Sequence, residues 1–503
     1  MPSPATVDGY FALPDAKRIL LLEITRNDGD GTKYYLSDDR YQTDFTDNPY
    51  MLTFSPVIGG SGLPALRRIL ADPFEGAGST SFGGVTLNKK DVSFTTDGGL
   101  LDLGGGDYLK VNPAGDLLAW ALSVTGFGTM TLRRGATIEA KIAAPREFYG
   151  YDTAQLLMRG QIARIGGSSR GETTIEITDT SDVFRRAIVP VTDKPLCFGR
   201  CRNVSPFLTD ALNLEYAVHD GEVNDILAVY DQGVALTEGV HWTKDAANGT
   251  FTLASSPAGV VTADVEGEVF GGSWVRKTQT VAERLIARAG QSSITQEFGQ
   301  ISSGVIGLYL TESTELGALL TSLMRGASAY WLIDATGVFR AEYFPIPGSA
   351  GELLQEAEIL SEVEYQDDDR IHSSIRYLYR RNWTQYQSLP AASQTQADFS
   401  QRDGLESSAD DPSPDSEIQY SDSERLDTYF DDQDAAATVA GRLLDIFKQV
   451  RVRARGELPY SSSRELGQPI TLAAGGQIFR GIIVSLTDVF DGSYPAQQVE
   501  VLA

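Results

Sequence analysis

The sequence predicts a mainly β, multidomain protein: two antiparallel β-barrels, with a small β domain inserted between them and an α+β connector. Three observations predict it. One strand pattern occurs twice, far apart in the chain, as a duplicated module would. The 50 glycines, 21 tyrosines and 21 phenylalanines favour turns and pleated strands over helices. The length of 503 residues exceeds what a single core serves and suggests about three or four domains.

The first copy of the pattern begins at Arg134-Gly135-Ala136-Thr137-Ile138 and continues through Met158-Arg159-Gly160-Gln161-Ile162-Ala163-Arg164-Ile165. It closes on the alternating run Thr174-Ile175-Glu176-Ile177. The second copy ends the chain, with Leu466-Gly467-Gln468-Pro469-Ile470, then Phe479-Arg480-Gly481-Ile482-Ile483-Val484-Ser485-Leu486, then Val499-Glu500-Val501-Leu502. Each copy reads as a turn glycine, a strand, a second strand entered through apolar-Arg-Gly, and a third alternating strand. Period-two alternation with Gly and Pro at the bends is the pattern of a small antiparallel barrel or sandwich.

Composition narrows the function classes. A formal net charge of −26 argues against a surface that grips phosphates, which needs clustered Lys and Arg. Cys197 and Cys201 stand as C-x3-C with no second pair and no histidine nearby in sequence, whereas a zinc site needs about four ligands. They read as reduced small residues. Three histidines in the chain, no H-E-x-x-H, no G-x-S-x-G and no Cys-His arrangement leave little nucleophilic or metal chemistry to expect. The N-terminal Met1 to Asp15 carries no basic segment leading into an apolar run, and nowhere do about 18 apolar residues follow one another. Neither a secretion signal nor a membrane span is expected.

Taken in order, Arg18 to Ile24 and Lys33 to Leu36 read as a hairpin joined by Asn27-Asp28-Gly29-Asp30-Gly31. The Asp28 and Asp30 spacing approximates a calcium loop, but the downstream bidentate Glu and flanking helices are missing. Leu63-Pro64-Ala65-Leu66-Arg67-Arg68-Ile69-Leu70 predicts a short helix with Pro64 in its first turn, a plug on a barrel. Short strands broken by glycine follow from Ser79 to Ile142, including Gly84-Val85-Thr86-Leu87. The Gly104-Gly105-Gly106 run is a turn, since no Lys-Ser or Lys-Thr pair follows it.

The segment from Cys197 to Gly267 changes texture. Alternation through Ile226 to Tyr230 and Thr250 to Leu253, with an Ala247-Asn248-Gly249 turn, predicts a compact inserted β domain. His219, Asp220 and Glu222 lie close together there, and a solvated loop explains them better than a catalytic or metal cluster. Helical periodicity first appears at Thr280 to Gly290, with Thr280 and Glu283 at capping-box spacing and Gly290 at the left-handed terminal position. A second helix over Thr314 to Arg325, stopped by Gly326, leads into a hairpin of Ala329 to Ile333 and Val338 to Tyr343. After β texture from Glu362 to Tyr379, residues Gln385 to Asp434 are rich in Ser, Asp, Gln and Pro and predict a long exposed loop, mobile or ordered only by a partner. Ala436, Val439, Ala440, Leu443, Leu444 and Phe447 then place one apolar stripe on a helix spanning 435–449.

In order and kind these parts resemble the baseplate or tail-tip hub proteins of long-tailed, siphovirus-like bacteriophages and of gene transfer agents. The last quarter carries most of the resemblance, where the Ala435 to Gln449 helix runs into the second copy of the module. The capped helix ending at Gly290 and the helix-hairpin around Trp331 and Gly337 are similar to the middle domain of such hubs. The insertion and the acidic loop depart from a minimal hub. The resemblance implies two tail-tube-like barrels per chain, and three chains forming a ring whose six barrel positions adapt a sixfold tube to a threefold tip.

On this reading the domains are 1–195, a tube-like barrel; 196–275, the insertion; 276–350, the connector; and 351–503, the second barrel with its acidic loop at 385–434. The function implied is a structural virion protein of the tail tip, made in the host cytoplasm, homotrimeric and non-enzymatic. Its implied partners are the distal tail protein, the tape-measure protein and receptor-binding or central-fibre proteins, with DNA present only in transit during ejection. The net charge adds the expectation of an acidic lumen that repels phosphates. No catalytic residue, metal or cofactor is expected. Two other classes stand beside it. A tail-associated cell-wall hydrolase would use paired carboxylates and release peptidoglycan fragments. A glycan-binding adhesin would use exposed aromatics such as Tyr420, Tyr429, Trp242 and Trp383.

Overall fold

The computed structural model describes residues 10–11, 17–25, 33–37, 41–42, 53–56, 58–59, 63–70, 72–87, 100–102, 108–111, 118–122, 128–132, 136–144, 149–167, 173–188, 194–348, 351–368, 370–389, 397–411, 422–461, 463–490 and 496–503. The Asn27 to Gly31 and Gly104 to Gly106 turns and Tyr420 lie outside the described residues. The protein is mainly β and built from several sheets.

Both copies of the repeated pattern form antiparallel meanders. In the first, Thr137–Ala143, Gln155–Gly167 and Thr173–Thr178 are neighbours in one sheet. Alternation explains it: Ile138, Ala140 and Ile142 point into the core while Thr137, Glu139 and Lys141 do not. The expected hairpin precedes it, with Ile19–Thr25 paired to Lys33–Ser37 on one side and to Thr137–Ala143 on the other. In the second copy Pro469–Ala474, Gln477–Phe490 and Ala496–Leu502 repeat the order. Arg451–Pro459 and Glu364–Asp368 extend that sheet from one side, and Glu352–Gln355 from the other. The sheet curls around Leu458, Ile470, Leu472, Ile483, Leu486 and Val499, and its last strand returns so that Tyr365 packs on Phe479, ring centroids 5.2 Å apart.

The segment from Leu63 to Leu70 corrects the expected helix: Leu63–Ile69 is a strand. It pairs with Ser79–Leu87 on one edge and with Gln477–Phe490 on the other. Helix propensity is a weak prior, and here two open strand edges offer a full set of backbone partners. Leu66 is buried while Arg67 faces out. Ser79–Leu87 also pairs with Thr173–Thr178, so one continuous sheet runs from the first module to the second.

The inserted β unit is a two-sheet sandwich. Val234–Leu236, Val223–Asp231, Val261–Phe270, Leu196–Val204 and Gly307–Leu310 lie in that order in one sheet. Phe207–Asp210, Glu215–Ala217, Thr250–Leu253 and Trp242–Asp245 form the other. Val204, Ile226, Val229, Trp242, Phe251, Ala263 and Val265 fill the space between them. Gly249 has φ +62°, as its hairpin turn demands.

A larger core joins the connector to the C-terminal helix. The helix Thr278–Arg288 buries Val281, Leu285 and Ile286, and Gly290 takes the left-handed position at φ +74°. Thr280 caps in reverse of the expected box: it is the third helical residue, and its Oγ1 accepts from the Lys277 amide. The helix Leu316–Arg325 leads into the hairpin of Ala329–Ile333 and Phe339–Tyr343, whose Gly337 has φ +83°. The helix Gln433–Phe447 starts at Asp432, whose carboxylate accepts from the amides of Asp434 and Ala435, and buries its predicted stripe. Two segments of the expected long loop before it are instead strands of a three-stranded sheet. Leu405–Asp410 and Asp422–Asp427 flank His372–Tyr379, antiparallel and parallel respectively. The polar composition is accommodated because only one face is covered, by the Gln433–Phe447 helix, and side chains on the other face remain in water.

Candidate functional site: the joint between the two modules

The long middle strand of each module shifts register against its closing strand at one equivalent place, in addition to shifts against its other neighbours. In the first, Ile138 pairs with Gly160, and the register to the closing strand shifts between Ile162 and Arg164. In the second, Ile470 pairs with Gly481, and the shift falls between Ile483 and Ser485. Glycine is therefore two residues ahead of a bulge in both. The reason is contact: a Cβ on Gly160 would lie 2.1 Å from the carbonyl oxygen of Thr178, and one on Gly481 2.0 Å from that of Leu502. Each carbonyl belongs to the closing strand of its own module, one residue past the partner of the bulge. Bulging bends the strand so that its first half serves the leading strand and its second half the closing strand.

The two bent strands are tied through Leu63–Ile69 and Ser79–Leu87. Beside this tie runs a polar chain that is buried at Arg464, Gln497 and Asp488 and reaches solvent at Glu352. Glu352 accepts from Arg464 Nε and Nη2, each at 2.8 Å, and Arg464 Nη1 donates to Gln497 Oε1 at 2.8 Å. Gln497 Nε2 then donates to Asp488 Oδ1 at 2.8 Å, and Asp488 Oδ2 accepts from Arg68 Nη2 at 2.8 Å. Asp488 is 2% exposed, and burial pushes its carboxyl above the usual range against the pull of Arg68. Removing either partner would leave an uncompensated buried group, so the chain locks the N-terminal strand onto the C-terminal module.

A cavity of about 440 Å³ opens beside this chain, between both modules and the connector hairpin. Arg68, Tyr330, Asp334, Arg340, Glu342 and Asp488 are among its walls. Some of its polar groups engage one another: Tyr330 donates to Glu342 at 2.5 Å, and Arg340 forms an ion pair with Asp334 at 2.8 Å. Thr80 Oγ1 donates to the Ile333 carbonyl at 2.7 Å, and the Arg159 amide to that of Ala335 at 2.5 Å. These bonds seat the connector turn against the first module. The arrangement holds elements in place.

The residues weighed as chemistry take structural places. His219 is 1% exposed rather than in a solvated loop. Its Nδ1 accepts from the Cys197 amide at 3.0 Å, which assigns the proton to Nε2, 3.2 Å from Asp220 Oδ1. Burial, aided by Arg288 and Arg284 and opposed by Asp220, lowers the imidazole to about 4. Arg288 clamps Asp220 at 2.7 and 2.9 Å and reaches Glu268 at 2.6 Å; Arg284 meets Glu268 at 2.9 Å. The cluster pins the insertion to the Thr278–Arg288 helix. Glu222 contributes its backbone carbonyl, to the Val269 amide. Cys197 and Cys201 are buried free thiols, and burial pushes the Cys201 thiol up. Among the described residues, no group of three or more His, Cys, Asp or Glu side chains is placed to hold a metal.

The proposed sugar-stacking aromatics are also occupied. Trp242 is 2% exposed in the sandwich core, Trp383 packs on Tyr309, and Tyr429 bonds to Ser322 at 2.6 Å. Tyr386, within the expected loop, is buried with its hydroxyl 2.8 Å from Thr262. Sequence reasoning missed Glu268, Arg288, Asp431 and Asp488. Asp431 receives Arg202 at 3.0 Å through both carboxylate oxygens. For Asp488 no local signal exists: it lies on the face of Leu486, but the bulge between Ile483 and Ser485 breaks the strand parity that would place it.

Neither a family profile nor a curated protein matches the sequence. Solved structures similar to the chain include the 43 kDa tail protein of prophage MuSo2 from Shewanella oneidensis, at 10% identity and TM-score 0.43, covering 96% of this chain and 98% of that one. The tail protein from Neisseria meningitidis MC58 is similar at 8% identity and TM-score 0.44, over 97% and 96%. A chain of a native gene transfer agent particle reaches 17% identity and TM-score 0.41, over 62% and 84%. At these scores the likeness carries no argument for function. Among the described residues, no helix is long and apolar enough to cross a membrane.

Proposed function

We propose that this chain is a structural hub of a phage-type tail tip: a non-enzymatic virion protein whose three copies form a ring that adapts a sixfold tube to a threefold tip and channels DNA during ejection. One observation carries the reading. The two modules share a leading-strand pairing, a bulge and a glycine-to-carbonyl contact, and a continuous sheet holds them in fixed relation. Two equivalent units fixed in one chain are what three identical chains need in order to present six.

The domains in this proposal are a tube-like barrel at 1–195, the insertion at 196–275, the connector at 276–350 and the second barrel at 351–503. The partners are the distal tail protein, the tape-measure protein and the receptor-binding or central-fibre proteins. The strand Glu364–Asp368 supports assembly. It ends its sheet with four of its five residues exposed, and an open edge of this kind is a hazard that ring closure would cover.

Native mass spectrometry of the purified full chain at micromolar concentration tests the ring. A species of three times the chain mass is expected. A single monomeric species, unchanged on concentration and on mixing with tail-tube protein, would sink the proposal.

A further inference from the structure

The end of the inserted sandwich away from His219 holds three loops that are hydrogen-bonded by side chains and apolar at their tips. Residues 211–214 and 254–260 leave the same end of one sheet, since the Leu253 amide bonds to the Leu214 carbonyl. The turn 237–241 joins them there, the Ala254 amide bonding to the His241 carbonyl. Each loop carries a solvent-facing aliphatic: Leu212 is 95% exposed, Val240 65% and Val260 52%.

Scattered exposed aliphatics are ordinary, but these three sit on loops that side chains fasten. Asp210 accepts from the amides of Leu212 at 2.8 Å and Asn213 at 3.1 Å. Asp231 accepts from those of Ala258 at 2.7 Å and Gly259 at 2.8 Å. His241 Nδ1 accepts from the Thr237 amide at 3.0 Å. The entropy of ordering these tips is thus already spent within the fold, which is how a binding surface avoids that cost on association. The charge there is one-sided. Asp210, Asp231 and Glu238 lie in these turns with no Lys or Arg among residues 210–214, 231–241 and 254–260. Lys244 meets Glu238 from the neighbouring strand at 3.3 Å.

We infer that this end of the insertion is a docking surface for a protein whose contact site is an apolar groove rimmed by Lys or Arg. The aliphatic tips fill the groove, and the net negative charge of the three turns favours a basic rim. A glycan fits less well, because sugars stack on aromatic faces and the nearest tryptophan, Trp242, is in the core. This surface is independent of the ring, so loss of either leaves the other standing.

The test pans a random dodecapeptide display library on the immobilised full chain and titrates the enriched peptides. The wild-type chain should enrich peptides with an apolar centre flanked by Lys or Arg. The triple variant Leu212→Ser, Val240→Ser, Val260→Ser should bind them at least about tenfold more weakly, with an unchanged thermal midpoint. Asp210→Ala, which unfastens one loop and keeps all three aliphatics, should weaken them by a smaller factor. No enrichment, enrichment without basic residues, or equal binding by the triple variant would overturn the inference. So would a glycan array, or self-association of the chain, that responds to the triple variant when the peptides do not.

Discussion

At the level of single residues, the charged side chains of this protein act mainly as fasteners. His219 shows the cost. Its imidazole is held at about 4, below its ordinary 6.5, because burial opposes the charged form. Above pH 6.5 the group is neutral whether folded or unfolded, and it leaves stability unchanged. As pH falls from 6.5 toward 4 the unfolded chain takes up a proton that the folded chain refuses, so stability is lost across that window. The full loss is on the order of 3 kcal/mol. Urea unfolding at pH 7 and pH 4.5 should therefore separate wild type from His219→Gln: the wild type should lose more stability between the two pH values. Parallel losses in both would show that this imidazole does not titrate as its burial requires. Asp368 behaves oppositely, held at about 2 by Arg370, with Arg453 assisting, so its contribution persists until pH falls below the ordinary carboxylate range.

At the level of elements, the bent middle strands set the architecture. Gly160 and Gly481 need no left-handed backbone; each is required because a carbonyl oxygen occupies the space a Cβ would take. Gly160→Val and Gly481→Val should each destabilise the fold by about 3 kcal/mol, since backbone on both sides of the contact must move. Gly475→Ala, at a turn where no atom lies within 4 Å of the built Cβ, is the control for generic loss of glycine, although its φ of +59° carries a modest strain of its own. Denaturant midpoints of the three variants check this. If the two valine variants were no less stable than the control, the shared close contact would lose its significance.

These elements also show how far sequence reasoning reaches. Both meanders, the hairpin at Ile19–Thr25, the helix-hairpin at Leu316 to Tyr343 and the Gln433–Phe447 stripe follow from period and punctuation, which are local signals. Leu63–Ile69 does not, because its strand state depends on two partners far away in sequence, Ser79–Leu87 and Gln477–Phe490. The candidate site divides the same way. Gly160 and Gly481 are visible as a repeat, while the Arg68 to Asp488 pair that ties the modules spans 420 residues.

At the level of the whole molecule, charge sets a condition on assembly. Each chain carries a formal −26, so copies brought together in the proposed ring repel one another. The screening length shrinks from about 30 Å at 0.01 M salt to about 8 Å at 0.15 M. Sedimentation velocity should therefore show a larger trimer fraction at 0.15 M than at 0.01 M sodium chloride. Dissociation on adding salt would mean that ion pairs between chains hold the interface, contrary to a contact made by strand edges.

The sequence by itself determined the class of the fold, the two strand modules with their glycines, and the helices of the connector and C-terminal region, because periodicity and turn chemistry are written within a dozen residues. Tertiary structure alone decided three things: that Leu63–Ile69 extends, that the polar stretch around Leu405–Asp410 and Asp422–Asp427 joins a sheet, and that Glu268, Asp431 and Asp488 lie buried beside arginines. The reason is physical. Backbone donors and buried charges must find partners, and where those partners come from distant parts of the chain, no local pattern records them.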